Sequence, residues 1–221
     1  MVHPAYRRHG LGLALAREVL AGESALPVRI WAHGDLPAAA RLAARAGFIR
    51  TRGLWQMRRP LGGALAEPRL PPGISLRTFI PGQDDDDWIV LNARAFAGHP
   101  EQGKWTRADL QHREAEPWFD PDGFFLAVRD GHLAGFHWTK IHEGGGSEPV
   151  GEVYVLGVDP AEQGGGLGKA LALAGLRYLQ GRGLPAVMLY TEEDNAAAIR
   201  LYVSLGFARS STDVMYTHEP L

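Results

Sequence analysis

Apolar positions along the second half of the chain change their period several times, and each change predicts an element. Ile74–Phe79 reads as a first strand, and the alternation of Glu152–Val158 predicts another. Gly123–Arg129 and His132–His142 flank Asp130-Gly131, the dipeptide of a tight hairpin turn. Ala186–Thr191 reads as a strand, and Phe207–Thr217 as the last strands. Helical spacing marks Trp88–Phe96, Thr106–Ala115, Gly166–Gln180 and Asp194–Leu205, and Gly144–Gly146 reads as a loop. Asp84–Asp87 precede the first helix, where acids suit the positive end of the helix dipole; the run reads as a solvated helix start rather than a metal site. Strands lead, and strand–helix–strand–helix–strand closes the block. That order predicts an α/β fold with a mixed, mostly antiparallel central sheet flanked by helices.

The chain repeats itself. Val2–Ala16 and Val158–Ala172 agree at nine of fifteen positions at an offset of 156, including a Val-x-Pro and a Gly-x-Gly. Asp35–Phe48 matches Asp194–Phe207 at an offset of 159. The second copy is preceded by its own strands, whereas the first begins at its Val2, in mid-domain. The expected organisation is the C-terminal half of one domain (1–59), a linker rich in proline and glycine (60–73) and a complete domain (74–221). On that expectation the first copy lacks a wall of its slot and leaves an open sheet edge, which predicts poor solubility.

Composition narrows the chemistry. The 221 residues carry a formal net charge of -2, which gives no electrostatic reason to expect nucleic acid or an anionic membrane as partner. No apolar run approaches a membrane span and no secretory signal opens the chain, so the cytoplasm is the default expectation; the partner expected is a small molecule, and the chain is expected to be a monomer. Cysteine is absent, which excludes disulfides, thiolate nucleophiles and cysteine-held metals. His132, His137 and His142 read as surface or strand histidines, and no metal is expected.

The chemistry gathers where a strand ends and a helix starts, at Gln163-Gly164-Gly165-Gly166-Leu167-Gly168-Lys169. Glycines let backbone N–H groups approach an anion, and a helix start adds free donors and partial positive charge, which suits a pyrophosphate. A Walker loop would need glycine at Gln163 and Ser or Thr at Ala170; a dinucleotide fingerprint would need glycine at Lys169. What remains is Gln/Arg-x-x-Gly-x-Gly. Together with Asp194-Asn195, Tyr202 and Leu205-Gly206-Phe207, it resembles the GNAT superfamily of N-acetyltransferases. Ala97–Gly103, Trp118–Gly123, Gly135–Lys140 and Gly151–Pro160 are similar to the tandem acetyltransferases of mycothiol biosynthesis.

The resemblance implies acetyl-CoA as cosubstrate and the cysteinyl amine of cysteinyl-glucosaminyl-inositol as acceptor. It implies Glu152 as general base and Tyr202 as the acid that protonates the CoA sulfur. Substrate contacts carry onto Glu101, Lys140, Glu152 and Tyr190. CoA contacts carry onto Leu156, Gly157 and Val158, onto Gln163–Lys169, and onto Asn195, Ala196, Ala197, Ala198, Ile199 and Arg200. In the first copy they carry onto Val2, Arg8, His9, Gly10, Leu11, Gly12 and Leu13. Ala43 aligns with Tyr202, so chemistry is expected in the second copy alone. Gly165 stands where relatives usually place arginine, which predicts weaker CoA binding. A different small amine as acceptor, or a non-catalytic CoA-binding module, are the alternatives.

Overall fold

The computed structural model describes residues 2–22, 26–99, 102–144 and 148–220. In chain order the elements are α1 (Leu11–Ala21), β1 (Val28–Ala32), α2 (Pro37–Arg45), β2 (Ile49–Pro60), β3 (Ile74–Thr78), α3 (Asp85–Ala95) and α4 (Arg107–Glu114). Then come β4 (Phe124–Arg129), β5 (His132–His142), β6 (Val150–Val158), α5 (Leu167–Gly181), β7 (Ala186–Glu192), α6 (Ala196–Ser204) and β8 (Ala208–His218). They gather into two compact units that do not follow chain order. The larger holds Arg58–Leu189 and Ser204–Phe207; the smaller holds Met1–Met57, Tyr190–Val203 and Ala208–Leu221.

In the larger unit the strand order is β7-β6-β5-β4-β3. Antiparallel pairs join β3 to β4, β4 to β5 and β5 to β6, while β6 and β7 run parallel, so the sheet is mixed as the sequence predicts. The β4–β5 hairpin turns on Asp130 (φ 49) and Gly131 (φ 80), two left-handed residues that match the twist of the strands. One face carries an aromatic core. Phe124 pairs with Trp138 across the ladder and stacks on it at 4.6 Å, and Trp88 of α3 meets Phe124, Phe136 and Trp138 edge-on at 5.3–5.9 Å. Burying each such ring stabilises the fold by roughly 1.5–3 kcal/mol. The other face takes α5, whose Leu167 and Leu171 pack on Ile74, Ala127 and Ala134.

Helix α5 lies close to the sheet because Gly175 has no side chain. A Cβ there would fall 2.2 Å from Cε1 of His137. His137 is fully buried on β5, and its Nδ1 bonds the Leu171 carbonyl at 2.8 Å. The helix stops at Gly183 (φ 76), with Gly183 N–H donating to Gln180 O. Thr106 and Asp109 form a reciprocal capping box at the start of α4.

Two expectations, the solvated acidic run and the plural final strands, need correction. The acidic run before α3 is not wholly solvated: Asp84 and Asp85 are 3% and 1% exposed. Burial alone would raise the Asp84 carboxyl, but the fork of Arg77 at 2.6 and 2.7 Å and the Ile80 amide outweigh it and hold it low. The proline- and glycine-rich stretch is anchored at points along its length: Leu61 is buried, its N–H donates to Pro185 O, and Arg129 donates to Pro72 O. The final strands are one strand, β8.

In the smaller unit β1 pairs antiparallel with β8, from Val28↔His218 to Ala32↔Val214, and Thr51 of β2 bonds Thr217 of β8 at 2.8 Å. Ala43, Phe48, Val214 and Tyr216 form its core. Among the described residues no helix is long and apolar enough to cross a membrane.

Candidate active site

The glycine loop is open where an anion would need it and anchored where it would not. Its entry is pinned by two ion pairs, Asp159 with Arg94 at 2.7 Å and Glu162 with Arg129 at 2.9 Å. Asp159 also caps the short 3-10 turn Pro160–Glu162 by accepting from Ala161 N. Gly164 and Gly166 then both take φ 85, a left-handed backbone that side-chain-bearing residues adopt at a cost of about 1–2 kcal/mol. Gly166 begins α5 with no side-chain cap. The N–H groups of Gly164, Gly165, Gly166, Leu167 and Gly168 donate to no acceptor among the described residues. Unpaired amides converging on a helix start fit a pyrophosphate. Gln163 reaches back toward Val158 O at 3.4 Å, and Lys169 lies in the first turn of α5.

Strand β6 leads into this loop with one edge free. Among the described residues its parallel pairing with β7 covers Gly151↔Val187, Glu152↔Met188 and Val153↔Leu189, with no further pair. On its other side β6 stays paired with β5 through Val158↔Gly135. Leu156, Gly157 and Val158 therefore present backbone groups that no ladder to β7 uses, which suits the amides of an extended arm. Trp138 pairs with Val155 and Thr139 with Val153, so Tyr154 is the extra residue of a β-bulge, a device that turns a side chain out of the regular alternation.

Around this bulge the larger unit assembles a polar cluster. Glu152 is 8% exposed, and its Oε2 lies 2.7 Å from His142 Nε2. Lys140 stands directly opposite Glu152 in the β5–β6 register. Its ammonium lies over the rings of Trp118, 4.2 Å from the centroid, and Tyr154, at 5.5 Å. Burial chiefly raises the Tyr154 phenol, opposed by Arg113 and aided by Glu152. Trp118, Tyr154 and His142 were not singled out in the sequence as site residues. Once Glu152 and Lys140 are paired in register, spacing by two along β5 brings His142 onto the same face.

The remaining candidates lie in the smaller unit, apart from Glu101, which falls outside the described residues. Tyr190, 42% exposed on β7, accepts a hydrogen bond from Gln56 at 2.8 Å. Asn195 caps α6 by accepting from Ala198 N at 3.1 Å, and Ala196, Ala197, Ile199 and Arg200 form the first turns of that helix. Tyr202 is buried on α6, and burial pushes its phenol well above the ordinary value, so it stays protonated at neutral pH. Its aligned residue Ala43 lines an apolar pocket of about 150 Å³ with Leu42, Trp31 and Tyr216.

The first copy of the loop keeps the curve of the second. Arg8 has φ 68 and Gly10 φ 81, the counterparts of Gly164 and Gly166, and Gly10 begins α1 without a side-chain cap. Val2, His9, Leu11, Gly12 and Leu13 flank these two turns.

Residues 90–207 match the Acetyltransferase (GNAT) family. A mycothiol acetyltransferase of Thermobispora bispora is 61% identical over 218 residues, 98% of this chain and 74% of the relative. One of Salinispora arenicola is 62% identical over 217 residues, 97% and 70% of the two chains. A solved GCN5-related N-acetyltransferase of Sphaerobacter thermophilus superposes with a TM-score of 0.79 at 27% identity, covering 99% of this chain and 70% of that one. The chain belongs to the GNAT family and is an acetyl-CoA-dependent N-acetyltransferase. Within that family its curated relatives carry the name mycothiol acetyltransferase.

Proposed function

We propose that the chain transfers the acetyl group of acetyl-CoA to the cysteinyl amine of cysteinyl-glucosaminyl-inositol, with Glu152 as proton acceptor. The transfer belongs to mycothiol biosynthesis, for which the relatives are named. The observation that carries the reading is one strand with two ends. β6 bears a nearly buried carboxylate, continues past the end of its pairing with β7, and delivers the chain to a loop of free amides.

The amides of Gly164–Gly168 hold the diphosphate, and the free edge at Leu156–Val158 pairs the pantetheine arm. Acetyl-CoA, when bound, supplies an activated thioester carbonyl. Glu152 takes a proton from the acceptor's ammonium, directly or through a water, and exposes the amine lone pair. Tyr202 returns a proton to the departing sulfur. Lys140, Tyr190 and Glu101 orient the acceptor, and holding both reactants in place supplies much of the rate. We assign the catalytic machinery to the domain spanning 74–221.

The test is formation of the N-acetylated product, followed by mass, from acetyl-CoA and the cysteinyl conjugate against a panel of other small amines. Glu152→Gln lowers kcat by roughly 10²–10⁴-fold while acetyl-CoA still binds. Parental turnover by that variant, or a faster reaction with another amine, overturns the assignment.

A further inference from the structure

The partner of Glu152 is a histidine, although a lysine stands nearer in register. Lys140 is its direct cross-strand neighbour, whereas His142 faces Val150 and reaches Glu152 on the diagonal. Yet it is His142 Nε2 that sits 2.7 Å from Oε2, and the Lys140 ammonium is turned onto Trp118, with no ion pair to Glu152. An ionised carboxylate only accepts hydrogen bonds, so Nε2 carries the proton and donates it. No described residue donates to Oε1. A planar ring N–H aimed at one carboxylate oxygen fixes the direction of the carboxylate, which a rotating ammonium does not.

Resting on Glu152 as the base, we propose that His142 is its positioning residue: it pins Oε2 and leaves Oε1 as the acceptor for the substrate's proton. The aromatic rest at Trp118 and Tyr154 serves the same end by keeping the Lys140 charge off Glu152. The histidine comes from solvent and the carboxylate from the interior, with side chains 35% and 10% exposed. Nothing reacts at His142, and its role is read through Glu152.

Full-length chain carrying His142→Ala, His142→Gln, Glu152→Gln, or His142→Ala with Glu152→Gln tests this. His142→Ala lowers kcat roughly 10–100-fold and leaves the KM for acetyl-CoA unchanged, as expected when a reacting group loses its aim. His142→Gln places an amide N–H where Nε2 stood and restores most of the rate. In the Glu152→Gln background His142→Ala adds no further loss, because both act in one step. Melting temperatures identify variants that fail to fold. The inference is overturned if His142→Ala turns over like the parent. It also falls if His142→Gln folds yet stays as slow as the alanine variant, or if the two losses multiply. Glu152→Gln at the parental rate, beside a slow His142→Ala, refutes instead the base assignment on which the proposal stands.

Discussion

Replacing Gly165 with arginine tests the anion loop directly. Gly164 and Gly166 cannot accept a side chain without strain, because both sit at φ 85. Gly165 lies between them outside the left-handed region, and a Cβ there meets only Pro71 Cγ at 3.9 Å, ordinary contact. An arginine therefore fits the backbone and adds a positive charge beside the amides proposed to hold the diphosphate. A charge-assisted bond from guanidinium to phosphate adds roughly 1.5–3 kcal/mol, and ordering the side chain in solvent removes up to about 2 kcal/mol. About 1 kcal/mol remains, which tightens the Kd for acetyl-CoA roughly five-fold. Isothermal titration at low and high salt measures it, and the gain shrinks as salt rises. Gly165→Ala separates charge from loop stiffening. Equal affinity for Gly165→Arg and the parent refutes the reasoning, and so does an equal gain from alanine.

Two further outcomes concern the buried histidine. Gly175→Ala drives a methyl into the His137 ring, where overpacking and the strained bond to Leu171 cost about 2–4 kcal/mol, read as a fall in melting temperature; an unchanged melt contradicts the close approach. Burial lowers the His137 imidazole from 6.5 to about 4, so between those values the unfolded chain holds a proton that the folded chain refuses. That contribution is complete above the unfolded value and is lost as pH falls toward the folded one, with roughly 2 kcal/mol gone by about pH 5. A His137 ring resonance that titrates near 6.5 in the folded protein sinks this account.

Local signals carried much of the fold. β5 occupies His132–His142 as expected, because the Asp130-Gly131 turn and the aromatic run bound it on both sides. The glycine loop was legible because Gly164 and Gly166 answer a backbone requirement that few residues meet. What stayed hidden depends on register. The bulge at Tyr154 and the end of pairing at Val153↔Leu189 arise from how three strands meet, and no local pattern encodes them. His142 reads as a surface residue until the β5–β6 register sets it diagonal to Glu152. Lys140 reads as ordinary charge until Trp118, distant in sequence, offers its face. The acidic run at Asp84 reads as solvated until Arg77 folds back over it.

Arg8 holds a bend that its side chain disfavours, at φ 68, while its counterpart Gly164 holds the same bend freely. Between the two copies the residue thus differs while the sign of the torsion angle does not. The handedness of the turn is the same in both copies, although one carries arginine there and the other glycine. Kinship between such loops is therefore better traced through the sign of successive dihedrals than through a count of glycines.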